Sequence, residues 1–248
     1  MRIIVVTIAF LSMISVACSQ NFKDVMSGAK DKVKEQTKNP GSSLTNEEVV
    51  NGLKEALTVG AENAATMASK TDGFNQNPKI RIPFPPDAMK VREKALELGL
   101  NNQVEKFETT LNRAAEEAAK EAAPIFINAV RNMSVQDGFD ILNGNDDAAT
   151  RYLDRNTSSQ LRERFMPIVE EAIKKVELTK YWTPLANAYN TASVFSSNEA
   201  VEPDLDNYVT SLAMEGLFKL IADEEKNIRD NPAARVTDLL ERVFGNKQ

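Results

Sequence analysis

Small and apolar residues recur every three or four positions between Val104 and Ala122, which is the spacing of one helical face. The face reads Val104, Phe107, Leu111, Ala114, Ala115, Ala118, Ala119 and Ala122. Alanine side chains let two helix axes approach to the short end of the usual range of about 8–10 Å. We therefore predict a central helix that contacts several others. Pro124 lacks an amide hydrogen, so this helix is predicted to kink or restart there.

The amino-acid composition of the whole chain also favours helices over sheets. Of the 248 residues 42% are hydrophobic, which is enough for a core, but only 6% are aromatic and no long alternating runs occur. We predict an all-α protein with a single compact multi-helix domain over residues 44–246. One short extended arm is expected near residues 78–84, where Ile80 and Ile82 alternate with cationic residues. The isoleucines should pack against the helices, although an edge that binds a peptide is the alternative.

Several helix boundaries are predicted from capping residues. Thr45 with Glu48, and Ser134 with Asp137, have the spacing of a capping box, in which side chains and backbone amides satisfy each other's hydrogen bonds. Asn143-Gly144 should end the second of these helices, because both residues tolerate the left-handed conformation. The other predicted helix starts are Asn145, and Thr157 or Ser158.

The first 43 residues are predicted to direct export rather than to join the helical domain. Residues 1–17 combine a basic start, an apolar stretch too short to span the ~30 Å hydrocarbon core of a membrane, and small residues at the end, as a signal peptide does. Residues 18–43 are predicted to be a lipid-anchored tether, partly helical or disordered, that ends in a Pro-Gly-Ser-Ser break. The alternative is a basic amphipathic helix that lies on an anionic bilayer.

Cys18 is the only cysteine and directly follows Ala17. This junction resembles a bacterial lipobox, in which the cysteine is acylated and becomes the mature N-terminus, although Ser15 stands where leucine is usual. We predict lipidation of Cys18, because an exported chain with one cysteine can form no disulfide within itself. Ser15-Val16-Ala17 equally fits ordinary signal cleavage, which would release a soluble protein. By the resemblance to lipoproteins, Ser19 suits outer-membrane delivery, with the protein on the periplasmic face of the bacterial envelope.

The absence of histidine excludes several functional classes. The chain cannot form a Ser-His-Asp or Cys-His catalytic pair or a histidine-ligated metal site, and one cysteine cannot form a thiolate cluster. A formal charge of −6 without a basic stripe argues against nucleic-acid binding. The segment from Asn143 to Asp147 lacks the ligand order of an EF-hand loop. We therefore predict no metal, no cofactor and no nucleic-acid partner.

Motifs spread over most of the chain resemble one bacterial family. They lie between Leu53 and Gly245 and read Gly73-Phe74, Ile80 to Pro83, Asn112-Arg113-Ala114-Ala115-Glu116, Met133-Ser134 with Asp137, Ile141-Leu142 with Gly144, Ala149-Thr150-Arg151-Tyr152-Leu153, Tyr208-Val209-Thr210, Gly216-Leu217-Phe218, Glu225 with Ile228-Arg229 and Pro232, and Val243-Phe244-Gly245. This pattern resembles the family of domain of unknown function 4197, a group of exported, lipoprotein-like proteins. The resemblance bears on fold and location, and it implies no activity, substrate or site.

Polar residues within these motifs form either a buried network or a binding site. They are Asn112, Arg113, Glu116, Thr150, Tyr152, Glu225 and Arg229. The network is the favoured interpretation, because paired polar groups in a core are more often structural than functional. Arg113 also has the spacing to pair with Glu117 on the same helix.

The favoured function is a non-catalytic binding or scaffolding role at the membrane, with an envelope protein as partner. The alternative is a small-molecule-binding protein, or a histidine-independent enzyme, that uses a cleft around Arg113, Glu116 and Arg229. A roomy pocket lined by ionisable groups would favour the alternative, whereas a closed core with an exposed apolar groove would favour the first. The aromatic residues of a later helix either line a ligand cleft or, as favoured, join the core or contact a partner. These are Tyr181, Trp182 and Tyr189.

Overall fold

The computed structural model of the protein describes residues 45–175, 178–193 and 203–230. In chain order the α-helices are α1 (Asn46–Ser69), α2 (Met89–Glu97), α3 (Asn101–Ala118), α4 (Ala122–Arg131), α5 (Val135–Asn143), α6 (Ala148–Lys175), α7 (Leu178–Ser193) and α8 (Leu205–Asp230). These described segments contain no β-strand, which confirms the predicted all-α class. The predicted signal peptide, Cys18 and the predicted tether lie outside the described residues.

Helices α1 and α5 begin at capping boxes, as predicted. Glu48 donates its backbone amide to the Thr45 hydroxyl oxygen at 3.2 Å, and the Thr45 amide donates to the Glu48 carboxylate at 2.8 Å. In the same way, the Asp137 amide donates to the Ser134 hydroxyl oxygen at 3.1 Å, and the Ser134 amide donates to the Asp137 carboxylate at 2.9 Å. Each box satisfies an amide that has no partner within the helix, and this determines where the helix begins.

Helix α3 is the central helix, as its alanine face predicts. It packs against α1, α2, α6, α7 and α8. Ala115 and Ala118 are fully buried, and so are Phe107 and Leu111. Small side chains let several helices approach the same length of α3. The chain then forms a 3-10 turn over Ala119–Glu121 and restarts as α4. Pro124 is the third residue of α4, where a backbone amide would have no acceptor within the helix, so the predicted restart is confirmed.

The arm predicted near residues 78–84 lies between α1 and α2 and is not a strand. Ile80, Ile82 and Phe84 are at most 5% exposed, while the residues between them face solvent. The predicted alternation, with the isoleucines inward, is therefore confirmed. The backbone of the arm must find its hydrogen bonds outside any sheet, and this requirement shapes the polar contacts described below.

The aromatic residues of α7 pack on the core rather than around a cleft. The Trp182 ring lies 5.5 Å from the Phe107 ring and 6.5 Å from the Phe84 ring, measured between centroids. Tyr189 is 7% exposed and belongs to the same core, and Tyr181 packs against it partly buried. Among the residues that the structure describes, no helix is both long enough and apolar enough to cross a bilayer.

One predicted helix start is wrong. We expected a helix to begin at Thr157 or Ser158, but α6 runs unbroken from Ala148 to Lys175. The buried Thr157 hydroxyl donates to the Leu153 carbonyl at 2.6 Å, one turn earlier in the same helix. A threonine can satisfy its hydroxyl in this way in mid-helix, so its presence does not by itself mark an N-terminus.

The predicted conformation of Gly144 is also wrong, although the helix does end there. Gly144 is extended, with φ −78° and ψ −176°, and not left-handed. A Cβ atom at this position would lie 2.6 Å from the Cβ of Ala148 and 2.7 Å from the carbonyl oxygen of Asp140. Glycine is therefore needed for the close approach of two helix ends rather than for a positive φ.

A second close approach, at Gly216 of α8, yields a testable prediction. A Cβ there would lie 2.7 Å from the Phe74 ring and 3.1 Å from the Cβ of Ile80, both buried. Alanine favours a helix over glycine by about 1 kcal/mol, but an overlap with two packed side chains should outweigh this gain. We expect Gly216→Ala to lower the free energy of unfolding by about 1–2 kcal/mol in urea denaturation.

Gly60→Ala in α1 is the matched control for this substitution. Its Cβ would lie 3.4 Å from the nearest atom, the Cβ of Glu224, which is an ordinary contact. The substitution should therefore leave stability unchanged or raise it by up to about 1 kcal/mol. Equal destabilisation by both substitutions would show that the Gly216 contact is not responsible.

Candidate functional site

A buried carboxylate on α3 holds the turn that follows α1. Glu116 is 4% exposed, and its Oε1 accepts the backbone amides of Phe74 and Asn75, both at 3.1 Å. Arg113 donates to the other oxygen of Glu116 at 2.5 Å and to Asp72 at 2.6 Å. A carboxylate with two amide donors and a guanidinium is compensated in the interior, so these residues fasten the turn to α3.

The partner predicted for Arg113 within its own helix is wrong. Arg113 pairs with Glu116, and Glu117 instead binds Lys120 at 2.6 Å. The hydrogen bond to Glu116 is the main cause that raises the pKa of Arg113 above its ordinary value. Spacing allowed either partner, but only Glu116 faces the turn after α1.

Asn112 binds the extended arm as a neighbouring strand would. Its side-chain oxygen accepts the Ile82 amide at 2.8 Å, and its nitrogen donates to the Ile82 carbonyl at 2.8 Å. The same nitrogen donates to the Glu108 carbonyl at 2.8 Å. Asn112 is fully buried, so its acceptor and both donors are used inside the protein. The carboxylate of Glu108 binds Arg81 of the arm at 2.7 Å and Arg92 at 3.2 Å.

A second buried carboxylate, on α8, holds the beginning of α6. Glu225 accepts the amides of Ala149 and Thr150 at 3.0 and 2.9 Å and the Thr150 hydroxyl at 2.8 Å. Arg229 donates to Glu225 at 2.7 Å and to the Ile141 carbonyl, near the end of α5, at 3.1 Å. The first amides of a helix lack partners within it and carry partial positive charge. Glu225 therefore caps α6 from 76 residues away in sequence.

Thr150 and Tyr152 do not bind one another. Thr150 belongs to the Glu225 cluster, whereas the Tyr152 hydroxyl donates to the Ala129 carbonyl of α4 at 3.4 Å. Burial raises the pKa of Tyr152, and the nearby carboxylate of Asp137 adds to this effect. Tyr152 thus connects α6 to α4 and keeps its proton at neutral pH.

Among the described residues, Arg113 and Glu116 do not form a common cleft with Arg229, as the alternative function would require. Arg113 and Glu116 bind the turn after α1, whereas Arg229 binds Glu225 and the end of α5. The cavity beside Arg229 has a volume of about 10 Å³, which holds at most one water molecule. In the described part of the chain, every buried polar side-chain atom has a hydrogen-bond partner. These residues hold segments together and leave no space for a substrate between them.

An open concavity lies elsewhere, between α4, α5 and α6. It has a volume of about 460 Å³, within the usual size range of small-molecule sites, and is termed the polar groove below. Its lining residues are Ile125, Asn128, Ala129, Asn132, Asp137, Tyr152, Arg155, Asn156 and Gln160. A second concavity of about 410 Å³ adjoins it and shares Asp137, Tyr152 and Arg155.

The charged groups of the polar groove are Asp137 and Arg155. Hydrogen bonds from the hydroxyl and amide of Ser134, at 2.6 and 2.9 Å, lower the pKa of Asp137, and the charges of Arg155 and Lys54 lower it further. Asp137 is therefore ionised and already engaged in the cap of α5. Arg155 is exposed, and its guanidinium donates no hydrogen bond to a described residue.

Reasoning from the sequence did not identify this groove. Asp137 was expected only as a cap, and Tyr152 only as a member of the network. The carboxamides stand at exposed positions, where polar residues are usual on any soluble helix. A signal was nevertheless present: Asn132, directly after the end of α4, stands four residues after Asn128, and Gln160 stands four residues after Asn156 on α6.

Within the described ranges, no group of three or more acidic or cysteine side chains is arranged to hold a metal ion. In the loop between α5 and α6, Asp147 pairs with Arg151. The partial positive charge at the start of α6 favours acidic residues in this loop.

The chain matches one known family over most of its length. Residues 43–245 match the family described as Protein of unknown function (DUF4197). No curated protein and no solved structure shows significant similarity to the chain. The matched range includes the arm, the two carboxylate clusters and all helices of the described core. The chain therefore belongs to the DUF4197 family.

Proposed function

We propose that the protein is an exported, lipid-anchored envelope protein with a non-catalytic binding role, and that the polar groove is its binding surface. The observation that carries the binding role is the groove itself: it is a concavity of about 460 Å³ beside a core whose other polar residues are engaged in holding the fold. Residues 1–17 and Cys18 support export and lipidation through their signal-like sequence.

The residues of the polar groove suit binding better than catalysis. General acid–base catalysis works best with a pKa near the operating pH. The pKa of Asp137 is lowered and that of Tyr152 is raised, so both move away from neutrality. An arginine stays protonated, and no serine, threonine, cysteine or lysine lines the groove.

The polarity of the groove also bears on the kind of partner. A groove that takes an amphipathic helix is lined by apolar anchors. This lining instead has four carboxamides, a phenol and two charged groups beside Ile125 and Ala129. We therefore propose a polar ligand for this surface, in place of the apolar protein contact that a scaffold would use.

Export and lipidation are tested on the full chain produced in a bacterial envelope. We expect mass spectrometry to find a mature N-terminus at Cys18 carrying acyl chains, and fractionation to place the protein in the membrane. Cys18→Ser should release it to the soluble periplasmic fraction. An unmodified N-terminus on a soluble protein would rule out the lipid anchor, and an uncleaved cytosolic protein would rule out export.

Binding is tested by nuclear magnetic resonance on the mature, ¹⁵N-labelled protein with a mixture of small sugars, carboxylates, amines and dipeptides. We expect amide signals of the groove residues to shift. Asn132→Trp, which places a ring at the groove, should abolish these shifts. Asn102→Trp, at an exposed site on α3 outside the groove, should leave them intact. If no probe shifts the groove signals, this surface is not a binding site.

A further inference from the structure

We infer that the polar groove binds an acidic saccharide, whose carboxylate pairs with Arg155 and whose hydroxyl groups bind carboxamides of α4 and α6. The inference rests on the binding role proposed above and names the class of ligand. It follows from three properties of the groove: its carboxamides, its charge and its size.

The carboxamides provide the hydrogen bonds that sugar hydroxyls require. A carboxamide carries both an acceptor and two donors, and a hydroxyl group both donates and accepts. Asn156 donates to the Tyr152 carbonyl at 2.7 Å, which orients the side chain and leaves its oxygen for a ligand. The side chains of Asn128 and Asn132 share only a long contact of 3.5 Å, and the side chain of Gln160 forms no hydrogen bond with another described residue. These groups stand on two helices on either side of one concavity, as a ring with several hydroxyls would need.

The charge of the groove favours an acid over a neutral sugar. Asp137 and Arg155 both line the groove, and the charges of Arg155 and Lys54 both lower the pKa of Asp137, so two cations lie near this carboxylate. Oδ2 of Asp137 already accepts hydrogen bonds from the amide and the hydroxyl of Ser134. The guanidinium of Arg155 donates no hydrogen bond to a described residue, and its planar donors match a carboxylate in two parallel hydrogen bonds.

The size and surroundings of the groove favour a ligand of one or two rings with a single acidic group. A volume of about 460 Å³ accommodates a ligand of one or two rings. The adjoining concavity is lined by Asp140, which accepts a hydrogen bond from Gln136 at 2.8 Å, and by Arg151, which is already paired with Asp147. A second acidic group would meet the negative charge of Asp140 there, so we expect a single acid beside Arg155.

The test uses four probes on the mature protein: glucuronic acid, glucose, acetate and inorganic phosphate. Dissociation constants come from titrations of the groove amide signals. We expect glucuronic acid to bind about 10-fold more tightly than glucose or acetate, because only it uses both the guanidinium and the carboxamides. Arg155→Gln should reduce the preference for glucuronic acid over glucose to within about 2-fold. Arg164→Gln, an exposed arginine on the same helix outside the groove, should retain it.

The outcomes separate this inference from the proposed function. Equal binding of glucose and glucuronic acid would overturn the role of Arg155, yet the groove would remain a binding surface. Equal binding of acetate or phosphate would reveal a bare anion site and overturn the saccharide. Loss of the preference in Arg164→Gln as well would assign it to overall charge and would also overturn the inference. If neither these probes nor the broader mixture shift the groove signals, the binding role itself fails.

Discussion

Replacing Glu225 by alanine is expected to lower the free energy of unfolding by about 3–5 kcal/mol. The carboxylate is 5% exposed and accepts two backbone amides and the Thr150 hydroxyl at the start of α6. Its loss would leave those amides unpaired and would remove the carboxylate that pairs with Arg229, whose side chain is 14% exposed. Urea denaturation followed by circular dichroism measures the change.

Glu215→Ala on the same helix is the control for Glu225→Ala. Its carboxylate is 56% exposed and pairs with the exposed Lys219, so the expected change is within about 0.5 kcal/mol. Glu225→Gln keeps the shape and one acceptor and should have an intermediate effect. The double substitution Glu225→Ala with Arg229→Ala should cost less than the sum of the single ones, because it removes both charges. Strict additivity would contradict a coupled buried pair.

Asn112→Asp should destabilise the protein by about 3–5 kcal/mol at neutral pH, although the two side chains have nearly the same shape. The nitrogen of Asn112 donates to the carbonyls of Ile82 and Glu108, both at 2.8 Å, in a fully buried site. Substitution would place a carboxylate oxygen against two carbonyl oxygens. The arm would lose one of the two hydrogen bonds that join Ile82 to Asn112.

The loss of stability caused by Asn112→Asp should also depend on pH, and burial of the new carboxyl group determines the direction. A buried carboxyl group facing two acceptors has a folded-state pKa above the unfolded value of about 3.9, so the folded state binds the proton more readily. The stability difference from the wild type should therefore narrow as the pH falls from 7 toward 5, because the neutral group can donate one of the lost hydrogen bonds.

Asn102→Asp is the matched control, since it makes the same chemical change in the first turn of α3. Asn102 is exposed, and a negative charge near a helix N-terminus is favourable by about 0.3–1 kcal/mol. The variant should be as stable as the wild type or slightly more so at pH 7. If Asn112→Asp behaved like Asn102→Asp, the attachment of the arm through Asn112 would be disproved.

Features of the fold that depend on neighbouring residues could be predicted from the sequence. The two capping boxes, the restart near Pro124 and the inward isoleucines of the arm each depend on residues a few positions apart. The errors at Thr157 and Gly144 arose where one local pattern has two structural uses. A threonine can cap a helix or donate a hydrogen bond to a carbonyl within it. A glycine can be required for a positive φ or for the close approach of neighbouring atoms.

The sequence alone determined the helical class, the central alanine face and the exclusion of histidine chemistry, because these follow from composition and from a period of about 3.6 residues. Only the tertiary structure decided which polar groups meet. Glu225 accepts hydrogen bonds from amides 75 and 76 residues away in sequence, and Asn112 accepts one from an amide 30 residues away. The carboxamides of α4 and α6 likewise share one groove only because the two helices pack beside each other. Helix periodicity and capping depend on residues within one or two turns of each other. Contacts between distant polar groups depend on the angles at which helices cross, and a local sequence pattern does not specify these angles.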